Sequence, residues 1–95
     1  MPTVIEREMT ITHKEFMRLL PRVIEEQGYT SSDNTIVIGE GDERVTITLS
    51  DETRRRIGGF SLPVTWVTIA FEGYSSGEQQ RFLGSFDRAY LKCGG

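Results

Sequence analysis

The sequence has little of what specialised chemistry requires. It holds one cysteine, Cys93, and one histidine, His13, in 95 residues. A single cysteine makes no internal disulfide and builds no zinc site by itself. A reducing compartment is the simplest setting for such a chain. Lysine and arginine together number 11 against 14 acids, a net charge of −3. An overall field of that sign does not steer a protein to nucleic acid or to an anionic membrane. Long apolar runs are missing too. The most apolar segment, Val64 to Phe71, is broken by Thr65 and Thr68, and it is too short to span a bilayer. The first eight residues mix charges and carry no apolar stretch of signal-peptide length. The chain therefore reads as cytoplasmic, without membrane contact.

What is present is an ordinary globular balance. Apolar residues make up 37% and charged residues 26%, far from the disordered regime. One domain over 1–95 is expected, with most apolar residues committed to its core. No repeat, linker or low-complexity segment divides it.

Helix signals stand at both ends. Thr12 and Glu15 have capping-box spacing, and Ile11 and Phe16 fall where a hydrophobic staple would close. Phe16, Leu19, Leu20, Val23 and Ile24 then share one helical face. Pro21 lacks an amide and crowds the carbonyl of Met17, so a kink or restart is expected within a helix near 13–27. Ser75 and Glu78 repeat the capping-box spacing. Phe82, Leu83, Phe86, Ala89, Tyr90 and Cys93 form the stripe of a closing helix.

Between the helices the pattern is that of strands. Residues 30–34 form a polar turn-forming run, followed by the β-branched stretch 35–38. Gly39-Glu40-Gly41-Asp42 suits a hairpin loop. Val45, Ile47 and Leu49 alternate with threonines. Residues 50–62 admit a short helix capped by Ser50 or a strand, and the strand is preferred. In that strand a one-residue bulge at Gly58-Gly59 would bring Ile57, Phe60 and Leu62 to one face. In the segment 64–71, Val67, Ile69 and Phe71 line one side and Val64, Trp66 and Ala70 the other. Residues 1–8 show too little pattern to assign. The expected fold is α+β: helix, antiparallel meander of three or four strands, helix, with both helices on one face of the sheet.

No catalytic, cofactor-binding or metal-binding set emerges. His13 falls at the first position of a helix, where an exposed imidazole is the simple reading. Cys93 lies on the apolar stripe, as a small hydrophobe does. Asp33, Glu40, Asp42 and Glu43 lack calcium-loop spacing and read as solvated loop charge. Gly39-Glu40-Gly41 lacks the third glycine and the following helix of a dinucleotide loop. No nucleophile elbow or phosphate loop occurs. This points away from an enzyme and implies no cofactor.

Two features remain. Arg54-Arg55-Arg56 is the one basic cluster, and Trp66 opposes the apolar parity of its strand. If the helices cover Val67, Ile69 and Phe71, Trp66 anchors the open face. The expected function is a non-catalytic binding or assembly module that uses that face and the rim of Arg54, Arg55 and Arg56. A protein partner or self-association fits better than nucleic acid. The alternative lies at the end of the chain. Gly94-Gly95 is similar to the diglycine that sulfur-carrier and ubiquitin-like proteins activate at its carboxylate. The likeness covers those two residues, and glycines that end a helix also account for them.

Overall fold

A computed structural model describes residues 3–24 and 28–90. The strands are β1 (Thr3–Met9), β2 (Tyr29–Ser32), β3 (Thr35–Glu40), β4 (Glu43–Leu49), β5 (Thr53–Ile57) and β6 (Phe60–Glu72). The helices are α1 (His13–Leu19), α2 (Pro21–Ile24) and α3 (Ser76–Ala89). All pairings are antiparallel, in the order β1-β6-β4-β3-β2, with β5 also paired to β6.

The α+β class is as the sequence indicates, but the sheet is larger than a three- or four-stranded meander. Two strands lie where the sequence pattern shows none. Residues 3–9 form β1, which returns the start of the chain to the last strand, with Ile5 opposite Ile69. Residues 29–32 form β2, and the turn is confined to Asp33 and Asn34. Asp33 takes the left-handed φ of 53° there, which a short polar side chain tolerates.

Cross-strand register builds the core. Ile36, Ile47, Ile69 and Ile5 face one another in a single row across four strands. Directly paired residues share a face, so this row and its neighbours Ile38, Val45 and Phe71 form the inward side. The helices close over it. Phe16 packs against Tyr90 at 4.8 Å, and Phe71 meets Phe82 edge-on at 5.5 Å. The Tyr90 hydroxyl donates to the Phe16 carbonyl at 2.8 Å, tying the first helix to the last.

Caps and breaks follow local chemistry. Pro21 splits the first helix as its missing amide requires, and α1 and α2 result. Residues 25–27, where the sequence extends that helix, lie outside the described residues. The Thr12 hydroxyl accepts the Glu15 amide, yet the reciprocal bond of a capping box is replaced: the Glu15 carboxylate pairs with Arg18. At α3 the box is complete in both directions between Ser75 and Glu78. The Ser75 backbone amide, then its side chain, holds the Glu78 carboxyl below the usual carboxylate range.

Two glycines, Gly39 and Gly73, are fixed by packing as well as by conformation, Gly73 more tightly. Gly73 leaves β6 at φ 75°, and a Cβ there would lie 2.0 Å from the Asp42 carbonyl oxygen. Gly58 also has a positive φ, 59°, but nothing lies within 4 Å of its would-be Cβ. Gly73→Ala therefore combines strain with a backbone collision and should cost more than about 2 kcal/mol. Gly58→Ala should cost only about 1 kcal/mol. Urea unfolding of the two variants checks this, and equal losses would contradict it.

Candidate interaction surface

β6 has thirteen residues, and its two halves differ. From Val67 to Phe71 it is paired on both sides, by β4 and β1. From Phe60 to Val64 it is paired only by β5. That half forms a two-stranded arm with Gly58-Gly59 as its loop, between the facing residues Ile57 and Phe60. The positive φ at Gly58, the first loop residue, matches a type II′ hairpin turn. Four residues lead from Leu49 to Thr53, and three from their partners Val67 to Val64. One extra residue therefore lies in the 50–52 segment, and it acts as a bulge.

This corrects the expected placing of the bulge at Gly58-Gly59. Those glycines reverse the chain instead. Ile57, Phe60 and Leu62 do share a face, because Ile57 and Phe60 are a direct pair. The bulge at 50–52 sends Thr53, Arg55 and Ile57 to the face away from the helices.

Ser50 fastens the base of the arm. Its amide donates to the Trp66 carbonyl at 2.9 Å. Its hydroxyl accepts the Trp66 amide at 2.8 Å and donates to the Asp51 carbonyl at 3.1 Å. His13 braces the same point. Its Nε2 lies 2.7 Å from the Ser50 carbonyl oxygen, and its backbone amide donates to Glu52 Oε1 at 2.6 Å. The sequence places His13 correctly at the start of a helix, but it is half-buried and engaged, not an exposed imidazole. A Nε2–H donated to a carbonyl is a structural bond.

The open face runs from the sheet onto the arm. Trp66 is 48% exposed on it, paired with Glu8 of β1. The same side of β6 carries Phe60, Leu62 and Val64 toward the tip. Phe60 is 74% exposed and Ile57 55%, whereas Val64 is buried at 4%. Toward the sheet the face turns hydroxyl-rich, with Thr46, Thr48 and Thr68 in adjoining pairs. Arg44 and Glu72 form a cross-strand ion pair at 3.0 Å.

Arg54, Arg55 and Arg56 are all exposed on β5. Strand alternation separates them. Arg55 lies on the open face and pairs with Glu8 at 2.8 Å. Arg54 and Arg56 lie on the reverse, opposite Pro63 and Ser61. Among the described residues they have no side-chain partner. The arm, residues 53–64, contains these three arginines and no acid. It thus carries +3 within a chain of −3, leaving −6 on the rest.

Elsewhere the surface offers less. A groove of about 330 Å³ lies beside α2 and α3, lined by Glu43, Tyr74, Glu78 and Arg81 among others. Burial, then the charges of Glu78 and Glu43, raises the Tyr74 hydroxyl above its ordinary pKa. Among the described residues no group of three or more His, Cys, Asp or Glu side chains could hold a metal ion. No helix among them is long and apolar enough to cross a membrane. Cys93, Gly94 and Gly95, with the carrier reading that rests on the last two, lie outside the described residues.

Because Ser50 substitutes its side chain for a ladder bond at the bulge, Ser50→Ala should loosen the arm selectively. Amides of residues 53–64 should exchange faster while those of 67–71 keep their protection, with a global loss of about 1 kcal/mol. Hydrogen exchange read residue by residue checks this. Uniform acceleration would show that Ser50 supports the whole fold instead.

Comparison of the chain with protein-family models, with curated proteins and with solved structures finds no match.

Proposed function

We propose that this chain is a non-catalytic binding or assembly module that docks through the open face of its sheet. Trp66 is the anchor, and Arg54, Arg55 and Arg56 form the charged rim. The observation that carries the reading is a pair of exposed rings, Phe60 and Trp66, with the half-buried Leu62 and the buried Val64 between them, on the side of β6 that no helix among the described residues covers. An indole and a phenyl ring exposed in one line, beside the Arg55–Glu8 ion pair and with Arg54 and Arg56 on the reverse of the same strand, have the composition of an interaction hot spot. The contact is with protein. Nucleic acid fits less well, because Glu6 and Glu8 flank the stripe on the same face and the molecule outside the arm is acidic.

Trp66→Ala and the triple change Arg54→Glu, Arg55→Glu, Arg56→Glu both alter exposed positions, so the fold should survive, with thermal midpoints close to that of the parent. Each variant should lose its associated protein. The check is quantitative mass spectrometry of what co-purifies with N-terminally tagged protein, combined with its own association state in solution. Association unchanged in both variants would contradict the proposal.

A further inference from the structure

The arm has two edges, and its hydrogen bonding tells them apart. Trp66 bonds Ser50 through both its amide and its carbonyl, so the even-numbered residues of β6 turn their backbone toward β4 and β5. Phe60, Leu62 and Val64 therefore bond to Ile57, Arg55 and Thr53. Ser61 and Pro63 turn to the opposite edge, where Pro63 has no amide to offer a further strand. On β5 the residues that face away from β6 are Arg54 and Arg56. Among the described residues β5 pairs with β6 alone. All of its residues are exposed, and no proline or glycine interrupts it.

An open edge of this kind takes an added strand. The arginines guard it, and the guard selects by sign. A second β5 laid antiparallel would set arginine opposite arginine at 54, 55 and 56, and like charges directly opposite destabilise a ladder. A strand of opposite charge turns that repulsion into attraction. Residues 53–64 contain no acid, and among the described residues Arg54 and Arg56 have no side-chain partner. We infer that the outer edge of β5 receives an extended acidic segment of a partner protein, which adds to the arm as a third strand. Directly paired residues share a face, so acids opposite Arg54 and Arg56 stand beside them on the reverse of the arm. The residue between those acids emerges opposite Arg55, which Glu8 already holds. The segment is thus read as acid, any residue, acid.

The backbone favours a peptide over nucleic acid or anionic lipid. Arg54 and Arg56 present carbonyls as well as amides at this edge. Phosphodiester oxygens accept hydrogen bonds and cannot donate them, whereas a peptide strand does both. With +3 on the arm and −3 overall, the rest of the chain carries −6 and repels a long polyanion. A segment of a few residues meets only the arm.

This inference names the partner of the proposed arginine rim and rests on that reading for the rim alone; Trp66 takes no part in it. The probe is a labelled synthetic peptide of alternating glutamate and threonine, titrated with the full chain by fluorescence anisotropy. Saturable binding is expected. It should weaken at least about tenfold with the joint change Arg54→Glu, Arg56→Glu, which alters exposed positions only, and as much when glutamine replaces the peptide's glutamates. N-methylation of those glutamates keeps their charge and removes their main-chain donors, and should cost at least about tenfold as well. Trp66→Ala should leave the affinity unchanged. Hydrogen exchange by NMR supplies the structural readout: the amides of Arg54 and Arg56 should slow at least about tenfold with peptide bound.

Equal binding of the N-methylated peptide, or unchanged exchange at Arg54 and Arg56, would reduce the contact to charge attraction and overturn the inference. So would absence of binding up to about 1 mM peptide, or tighter binding of an oligouridylate of equal charge or of vesicles rich in anionic lipid. Protection of those two amides that rises with the concentration of the protein alone would put a second copy on the edge instead. Failure of the peptide to bind, while Trp66→Ala still removes a co-purifying protein, would overturn the edge site and leave the docking face standing.

Discussion

The fold depends on the pairing of β6. In a sheet, a strand flanked on both sides satisfies its backbone groups on two ladders and can place one full face against a core. The C-terminal half of β6 does this between β4 and β1. Its inward residues, Val67, Ile69 and Phe71, are all buried. The same strand continues past the end of β1 at Met9, and there, among the described residues, it has one neighbour and no helix above it. The core therefore positions the arm. Twist and direction set by the packed half are passed along one unbroken backbone to the exposed half.

Where the two halves meet, polar groups substitute for lost ladder bonds. Thr65 is fully buried, and its hydroxyl donates to the Ile11 carbonyl at 2.8 Å. That bond joins β6 to the segment that turns from β1 into α1. One residue on, Ser50 bonds the Trp66 backbone in both directions. A buried hydroxyl without such a partner would be costly, so these contacts fix the level at which the bulge falls. The extra residue decides which side Arg55 and Ile57 take. Without it the register of β4 would continue, turning them toward the helix side and leaving Arg54 and Arg56 on the side of Trp66.

Much of this was legible in the sequence, and the exceptions have physical causes. The Pro21 break, the Ser75–Glu78 cap and the inward face of β6 all follow from local chemistry and periodicity. β1 is hidden because its inward residues are Thr3, Ile5, Arg7 and Met9. A cation within that face spoils the alternation, and only the fold supplies its answer, an ion pair with Asp87 at 3.6 Å. β2 is hidden because all four of its residues are exposed. Its strand character comes from pairing with β3, which no local pattern encodes. On the arm, the parity of a single strand does not apply, because Gly58-Gly59 is a reversal and the extra residue lies at 50–52. Trp66 and the arginines were visible as residue types, whereas the projection that joins them to Phe60 and Ile57 is a property of register.

The central claim is that Trp66, the chain's one tryptophan, stands on an uncovered face of a folded molecule. Collisional quenching of its fluorescence by acrylamide, at high dilution in native buffer, tests this most directly. The account predicts a red-shifted emission and a quenching constant at least about half that of the urea-unfolded chain, in keeping with an indole 48% exposed. Blue-shifted emission with negligible quenching, persisting at the lowest concentration that can be read, would place Trp66 in the core and remove the docking face.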